Sequence, residues 1–199
     1  MTESEAGAIS ETQRPREPVR RVFFALWPDA ALRTALARAT HKAVSACGGR
    51  PVPAQNLHVT LSFLGSVPER RIQDLASVAR RVAGAFPSSA APLLLTFDHI
   101  EYWKKPQVLC ALAEGESAQV RALAEALTNE AAGAGFNPDP KPFRPHVTVA
   151  RKVVHPTRSL DMRSAVWSFT EFVLVESRTE AQGAVYGVLE SYPLVNPQS

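Results

Sequence analysis

The chain has 199 residues, of which 45% are hydrophobic and 21% are charged, the composition of an ordinary globular protein. Its formal charge is +3, which permits a polyanionic partner without requiring one. No apolar run approaches the roughly 20 residues that a membrane-spanning helix needs, so we expect no membrane association. The polar residues 1–18 lack the basic start and apolar stretch of a secretory signal. We therefore predict a disordered tail over 1–18 and a single domain over 19–199.

The two cysteines, Cys47 and Cys110, are too few and too far apart in sequence to suggest a disulfide framework. Such usage fits a reducing cytoplasm, where we place the protein, and we expect both thiols to be buried and inert. The sequence contains no His-Glu-x-x-His, no Gly-x-Ser-x-Gly and no Gly-x-x-x-x-Gly-Lys loop. We therefore predict a site that holds no metal and no cofactor.

In chain order, the first predicted element is a buried strand over 22–27, followed by a helix that Pro28-Asp29 opens and that runs to about residue 46. A strand over 57–64 closes at Gly65, and a second helix starts at Pro68. The later predicted elements are strands over 92–99 and 107–113 joined by 101–106, a helix over 117–132, and strands over 146–151, 166–176 and 184–191. This order indicates an α+β protein with helices against antiparallel sheet.

Two of these strands carry the same short motif, His-Val-Thr. In the strand over 57–63, alternation places His58, Thr60 and Ser62 on one face and the apolar residues, including Phe63, on the other. The strand over 146–151 places His146 and Thr148 together in the same way. A third copy begins at His155, but its proline breaks the strand pattern, so we do not count it as a site.

Two imidazoles and two hydroxyls suit the hydrolysis of a cyclic phosphodiester. One imidazole can take a proton from water while the other gives a proton to the alkoxide that leaves. The hydroxyls can hold the nonbridging phosphate oxygens as charge redistributes. Taken alone, however, one such strand more often carries only a surface histidine, so the pairing of the two strands is what points to catalysis.

The two His-Val-Thr segments resemble the motifs of a known family. The segments 58–65 and 144–151 resemble the paired motifs of the two-histidine phosphoesterase superfamily, and more narrowly of the LigT-like RNA 2′,3′-cyclic phosphodiesterases, also called 2′-5′ RNA ligases. The segments 21–28 and 172–177 are similar to other parts of that family. The resemblance covers about residues 20–195.

This resemblance implies a bilobal α+β fold, in which two antiparallel sheets face each other across a central groove with helices on the outside. It implies that His146 is the base toward water and that His58 is the acid toward the 3′ oxygen, which gives a 2′-phosphate. Thr60, Thr148 and Arg151 are implied as phosphate contacts. Strict alternation would turn Arg151 away from His146, so its role requires the strand to end or bulge near residue 150.

The expected partner is RNA that ends in a 2′,3′-cyclic phosphate, bound by a monomer. Arg144 and Trp103 are candidate RNA contacts. Of the aromatic residues that could stack on the terminal base, Trp103 is preferred because it is predicted to lie in a connection beside two lysines, whereas Phe63 is expected in the core. Three other functions stay open: ligation that forms a 2′-5′ linkage, hydrolysis of a small cyclic nucleotide, and RNA binding without catalysis.

Overall fold

The computed structural model describes residues 17–86, 92–113, 118–156, 160–181 and 183–194. Within these residues the chain forms nine strands and three α-helices. The strands are β1 (Val19–Leu26), β2 (Arg50–Pro51), β3 (Val59–Pro68), β4 (Leu93–Trp103), β5 (Val108–Leu112), β6 (His146–Arg151), β7 (Leu160–Phe169), β8 (Glu171–Glu180) and β9 (Gly183–Pro193). The helices are α1 (Ala30–Ala46), α2 (Ile72–Ala85) and α3 (Ala118–Gly133).

The strands form two antiparallel sheets. One has four strands in the order β3-β1-β8-β9, and the other has five in the order β2-β6-β5-β4-β7. The two sheets face each other across a groove, and the helices pack on their outer sides. The expected bilobal α+β fold is thus confirmed, and the two His-Val-Thr strands, β3 and β6, lie one in each sheet.

The helices cross between the two sheets. Helix α1 follows β1 of the four-stranded sheet but packs on β6 and β7 of the five-stranded sheet. Helix α3 follows β5 of the five-stranded sheet but packs on β3 and on α2. On β7, the fully buried Trp167 donates its indole N–H to the carbonyl of Leu32 in α1, at 2.9 Å. Each lobe is therefore completed by a helix that the chain sends from the other sheet.

Several predicted boundaries are wrong where turn residues are missing or mislead. The predicted strand over 166–176 spans two strands, because β7 ends at Phe169 and β8 begins at Glu171 without a glycine or proline between them. Half of the predicted connection over 101–106 is strand, since β4 continues to Trp103. Gly65 does not close β3, which runs on to Pro68 with Gly65 at a φ of +70°.

Strand β3 contains an irregularity that overturns two predictions from alternation. Thr60 pairs with Ala25 and Ser62 with Phe24, so Leu61 is an extra residue without a partner. Such a bulge turns two successive side chains to the same side. Leu61 and Ser62 are accordingly both buried, and Phe63 returns to the groove beside Thr60. Ser62 therefore does not share a face with His58, and Phe63 is not a residue of the main core.

Of the predicted tail, residues 1–16 lie outside the described residues, while the carbonyl of Pro18 accepts a hydrogen bond from the backbone N–H of Glu69 at 2.9 Å. Over the described parts of the chain, no helix is both long and apolar enough to cross a membrane.

The position of Ser62 predicts a structural role for its hydroxyl. It accepts a hydrogen bond of 2.9 Å from Thr128 of α3 and is only 5% exposed. We expect Ser62→Ala to lower the free energy of unfolding by about 1–2 kcal/mol, measured by urea denaturation, because the Thr128 hydroxyl loses its partner. The control, Ser77→Ala on the exposed side of α2, should change stability by less than about 0.5 kcal/mol. Equal stabilities for the two variants would contradict the packing described for β3.

Candidate active site

The groove between the two sheets has a volume of about 770 Å³. The four-stranded sheet and the turn before it contribute His58 and Thr60, and the five-stranded sheet contributes His146, Thr148 and Arg151. The structure thus brings together all five residues for which the sequence predicts a catalytic or phosphate-binding role.

A second bulge, in β6, brings Arg151 to the groove. Thr148 pairs with Cys110 of β5, and Ala150 pairs with the next residue, Leu109, so Val149 is the extra residue. Val149 and Ala150 are both buried, and Arg151 then lies on the same face as Thr148. The bulge that this placement requires is therefore present.

The two histidines are held in the same way. The Nδ1–H of His58 donates to the carbonyl of Asn56 at 2.7 Å, and the Nδ1–H of His146 donates to the carbonyl of Arg144 at 2.8 Å. In both cases the acceptor lies two residues earlier in the chain. Because Nδ1 carries the proton in the neutral ring, Nε2 is the nitrogen left to accept or deliver a proton.

His58 lies among aromatic rings. Its imidazole stacks with Phe23 at a centroid distance of 5.0 Å and with Trp27 at 5.3 Å, and Tyr186 meets it edge-on at 5.1 Å. Asn56, whose carbonyl holds this ring, donates its side-chain amide to the carbonyl of Ala184 in β9 at 3.0 Å. Contacts from β1 and β9 therefore fix the orientation of His58.

His146 has more polar surroundings. Its ring lies 4.5 Å from the Trp103 ring, and the guanidinium of Arg144 lies 5.7 Å above that indole while donating to Glu101 at 2.7 Å. Both of these candidate RNA contacts therefore lie beside His146. Neither of them is among the residues that line the groove. Glu101 could not be identified from the sequence, because only the pairing of Glu101 with Cys110, and of Cys110 with Thr148, shows that it lies near the site.

Burial lowers the pKa of both histidines. The pKa of His58 falls to about 4, chiefly through loss of solvation, with a smaller effect from the positive charge of Arg151. The pKa of His146 is lowered in the same direction by burial and then by Arg144 and Arg151. The hydrogen bond to the carbonyl opposes this shift in each case, since it favours the imidazolium. Both imidazoles are therefore mainly neutral at pH 7 in the free protein.

The buried thiol next to the site is not a nucleophile at neutral pH. Cys110 Sγ lies 4.0 Å from Thr148 Oγ1, and burial raises the pKa of Cys110 to about 12. Cys47 is also buried, and both cysteines are free, as expected. Among the described residues, no three histidine, cysteine, aspartate or glutamate side chains come together as a metal site would require.

The sequence analysis also missed the aromatic residues around His58 and in the groove. Phe23, Phe63 and Tyr186 line the groove, but Phe63 reaches it only through the bulge in β3, and Tyr186 only through the pairing of β8 with β9. His155, from the third copy of the motif, does not line the groove; its backbone N–H donates to the carbonyl of Cys47 at 2.9 Å.

Comparisons with known proteins agree with this geometry. Residues 27–180 match the model of the 2'-5' RNA ligase superfamily. A protein of Thermus thermophilus named RNA 2',3'-cyclic phosphodiesterase is 33% identical over 190 residues, which cover 87% of this chain and 90% of that protein. An Escherichia coli protein of the same name is 32% identical over 162 residues, covering 79% and 87% of the two chains.

Solved structures show the same likeness. The crystal structure of E. coli LigT complexed with 3'-AMP has a TM-score of 0.78 at 27% identity and covers 90% of this chain and 100% of that one. The structure of TT0787 of T. thermophilus has a TM-score of 0.73 at 30% identity, covering 89% and 100%. Since the superfamily model spans most of the chain, this protein belongs to the 2'-5' RNA ligase superfamily.

Proposed function

We propose that this protein hydrolyses the 2′,3′-cyclic phosphate at the end of an RNA chain to a 2′-phosphate, without a metal ion. The observation that carries the proposal is the pair of histidines from opposing sheets, each with Nδ1 bound to its own chain and both in one groove with Thr60, Thr148 and Arg151. The names of the bacterial relatives support the same reaction.

In the proposed mechanism, Nε2 of His146 accepts a proton from water as its oxygen attacks phosphorus. The bond between phosphorus and the 3′ oxygen breaks, and Nε2–H of His58 donates its proton to that oxygen. The roles follow the family resemblance, and the rings around His58 support them, because stacked aromatic faces stabilise an imidazolium through cation–π attraction. Exchange of protons with solvent then restores the starting forms.

The phosphate would lie between the two threonines. Thr60 and Thr148 each follow a histidine by two residues on one strand face, so their hydroxyls can donate to nonbridging oxygens while Arg151 adds a positive charge. Phe63, half-buried beside Thr60, is better placed than Trp103 to contact the terminal base.

Substrate binding would also allow His58 to take up the proton that a general acid needs. A general acid must be protonated, whereas burial holds the pKa of His58 at about 4 in the free protein. The cyclic phosphate carries one negative charge, and an anion beside an imidazolium raises its pKa. The substrate therefore offsets the effects of burial and of Arg151, and the loaded site takes up a proton.

The direct test uses an oligoribonucleotide that ends in a 2′,3′-cyclic phosphate, incubated with the purified protein in excess EDTA. We expect complete conversion to a 2′-phosphate, identified by mass and by comparison with 2′- and 3′-phosphate standards. Loss of turnover in EDTA that a divalent ion restores would refute the metal-independent mechanism. A 3′-phosphate product would reverse the choice of leaving oxygen.

Substitution of each histidine by asparagine tests the assignment of roles, since asparagine can still donate to the neighbouring carbonyl. We expect His58→Asn and His146→Asn each to lower kcat by about 10²–10⁴-fold, with normal melting temperatures. The double variant should lose much less than the product of the two losses, because both groups act in one transition state. His41→Asn, on the exposed part of α1, is the matched control.

A substrate with sulfur in place of the bridging 3′ oxygen distinguishes acid from base, because a thiolate leaves without protonation. With this substrate the turnover of His58→Asn should be largely restored, and the turnover of His146→Asn should stay impaired. Rescue of His146→Asn alone would exchange the two roles. Full activity of either single variant on the ordinary substrate would end the mechanism.

The lowered pKa values predict the pH dependence. The active form holds one proton across the pair, so kcat/KM should follow a bell whose limbs both lie below pH 6.5, the ordinary pKa of histidine. At higher pH both rings are neutral and the acid is lost; at lower pH both are charged and the base is lost. The bell for kcat should lie at higher pH, because bound phosphate raises both pKa values. An alkaline limb of kcat/KM above pH 7 would contradict the effect of burial.

A further inference from the structure

Three basic side chains lie at the end of the groove that β6 reaches after Thr148. Arg50 of β2 and Arg151 of β6 are direct partners across the antiparallel pair, and Lys152 follows Arg151. All three line the groove. Across the described residues, none of the three is within ion-pair distance of a carboxylate, whereas Arg144, Arg80 and Arg81 each are.

This arrangement is unfavourable in the free protein. Like charges directly opposite each other on neighbouring strands repel, and no described acidic side chain relieves Arg50 and Arg151. The groove lining contains four lysine and arginine side chains, Arg21 being the fourth, against one acidic side chain, Glu180. A bound anion would turn this repulsion into attraction.

The backbone around these residues is built to hold them close together. A Cβ atom on Gly49 would lie 2.8 Å from the carbonyl oxygen of Arg151, so only glycine lets β2 approach β6 here. Lys152 has a left-handed φ of +54°, which is uncommon for a residue with a side chain. The backbone N–H groups of Val154 and His155 both donate to the carbonyl of Cys47, which ties the segment after β6 to the segment before β2.

The position of these basic side chains, beyond Thr148 on the strand that begins with His146, suits a second phosphate of the same RNA. Arg151 lies five positions after His146, which is at most roughly 17 Å along an extended strand, and arginine and lysine side chains can reach back over part of that length. A cyclic phosphate occupies both the 2′ and 3′ oxygens, so the remaining RNA can extend only from the 5′ oxygen of the terminal nucleotide. The next phosphate is therefore the one on that 5′ oxygen.

We infer that Arg50 and Lys152, beside Arg151, bind the phosphate on the 5′ side of the terminal nucleotide. The preferred substrate is then an RNA end or a 5′-phosphorylated nucleotide, not a nucleoside 2′,3′-cyclic phosphate. This inference rests on the proposed function for the direction in which RNA lies, and it adds the substrate class.

The kinetic test compares adenosine 2′,3′-cyclic phosphate with the same molecule carrying a 5′-phosphate. The wild-type protein should show a kcat/KM about tenfold higher for the 5′-phosphorylated substrate, the size of one charge-assisted contact. In the Arg50→Gln/Lys152→Gln double variant this ratio should fall to about one. Arg38→Gln/Lys42→Gln, which removes the same charge from the exposed outer part of α1, should retain the wild-type ratio.

A binding measurement separates failure of the subsite from failure of the proposed reaction. By calorimetry, adenosine 2′,5′-bisphosphate should bind the wild-type protein about tenfold more tightly than adenosine 2′-phosphate, and the double variant should lose this difference. Tight bisphosphate binding without turnover of either cyclic substrate would support the subsite and refute the proposed function. Turnover without any preference for the 5′-phosphate, in rate or in binding, would overturn the subsite. If the double variant does not fold, Lys152→Gln alone should lower the preference about threefold, and an unchanged preference would likewise overturn the assignment.

Discussion

A bulge just after the His-Val-Thr motif in each of the two histidine strands determines which side chains reach the groove. Leu61 in β3 has no partner on β1, Val149 in β6 has none on β5, and each turns two successive residues into the core. Beyond the bulge, the next side chain points back to the groove: Phe63 in one sheet and Arg151 in the other. Without the bulge in β6, the positive charge of Arg151 would lie on the helix side of the sheet, and in the proposed mechanism the two threonines would have to hold the phosphate without it.

The bulges also separate the residues whose strand face could be predicted from sequence from those whose face could not. His58, Thr60, His146 and Thr148 precede the bulges, so simple alternation places them correctly. Ser62 and Phe63 follow the bulge in β3, and alternation assigns both to the wrong face. Nothing in the local sequence shows this bulge, since Leu61 is as apolar as the strand residues around it; the irregularity exists only in the pairing of β3 with β1.

Long-range pairing likewise explains the other omissions. Glu101 lies 43 residues from Arg144, and β4 and β5 between them bring the two together. The junction between β7 and β8 lacks the glycine or proline by which turns are recognised, so two strands read as one. The helices, by contrast, have clear periodicity, and both His-Val-Thr motifs alternate clearly before their bulges, which is why the α+β class and the paired site could be predicted.

The crossing of the helices between the two sheets limits how far the lobes on either side of the groove can move apart. Helix α1 completes the five-stranded lobe but follows β1 of the four-stranded lobe after only three residues, 27–29, so this short link limits how far the lobes can separate. Strands β3 and β6 also contact each other directly. These connections restrict the relative movement of the histidines from opposite sheets, which the proposed mechanism needs because both act on one phosphorus atom.

Burial and positive charge act together on this fixed pair. Both disfavour protons on the imidazoles, so the free groove is rich in arginine and lysine yet holds neutral histidines. An entering phosphate meets uncompensated positive charge, and by partly neutralising Arg151 it makes protonation of a histidine more favourable. By linkage, a phosphate that raises the histidine pKa values must itself bind more tightly as pH falls toward them. In the proposed mechanism, the charge that attracts the substrate and the proton that catalysis needs are thus coupled through Arg151, whose position depends on the bulge at Val149.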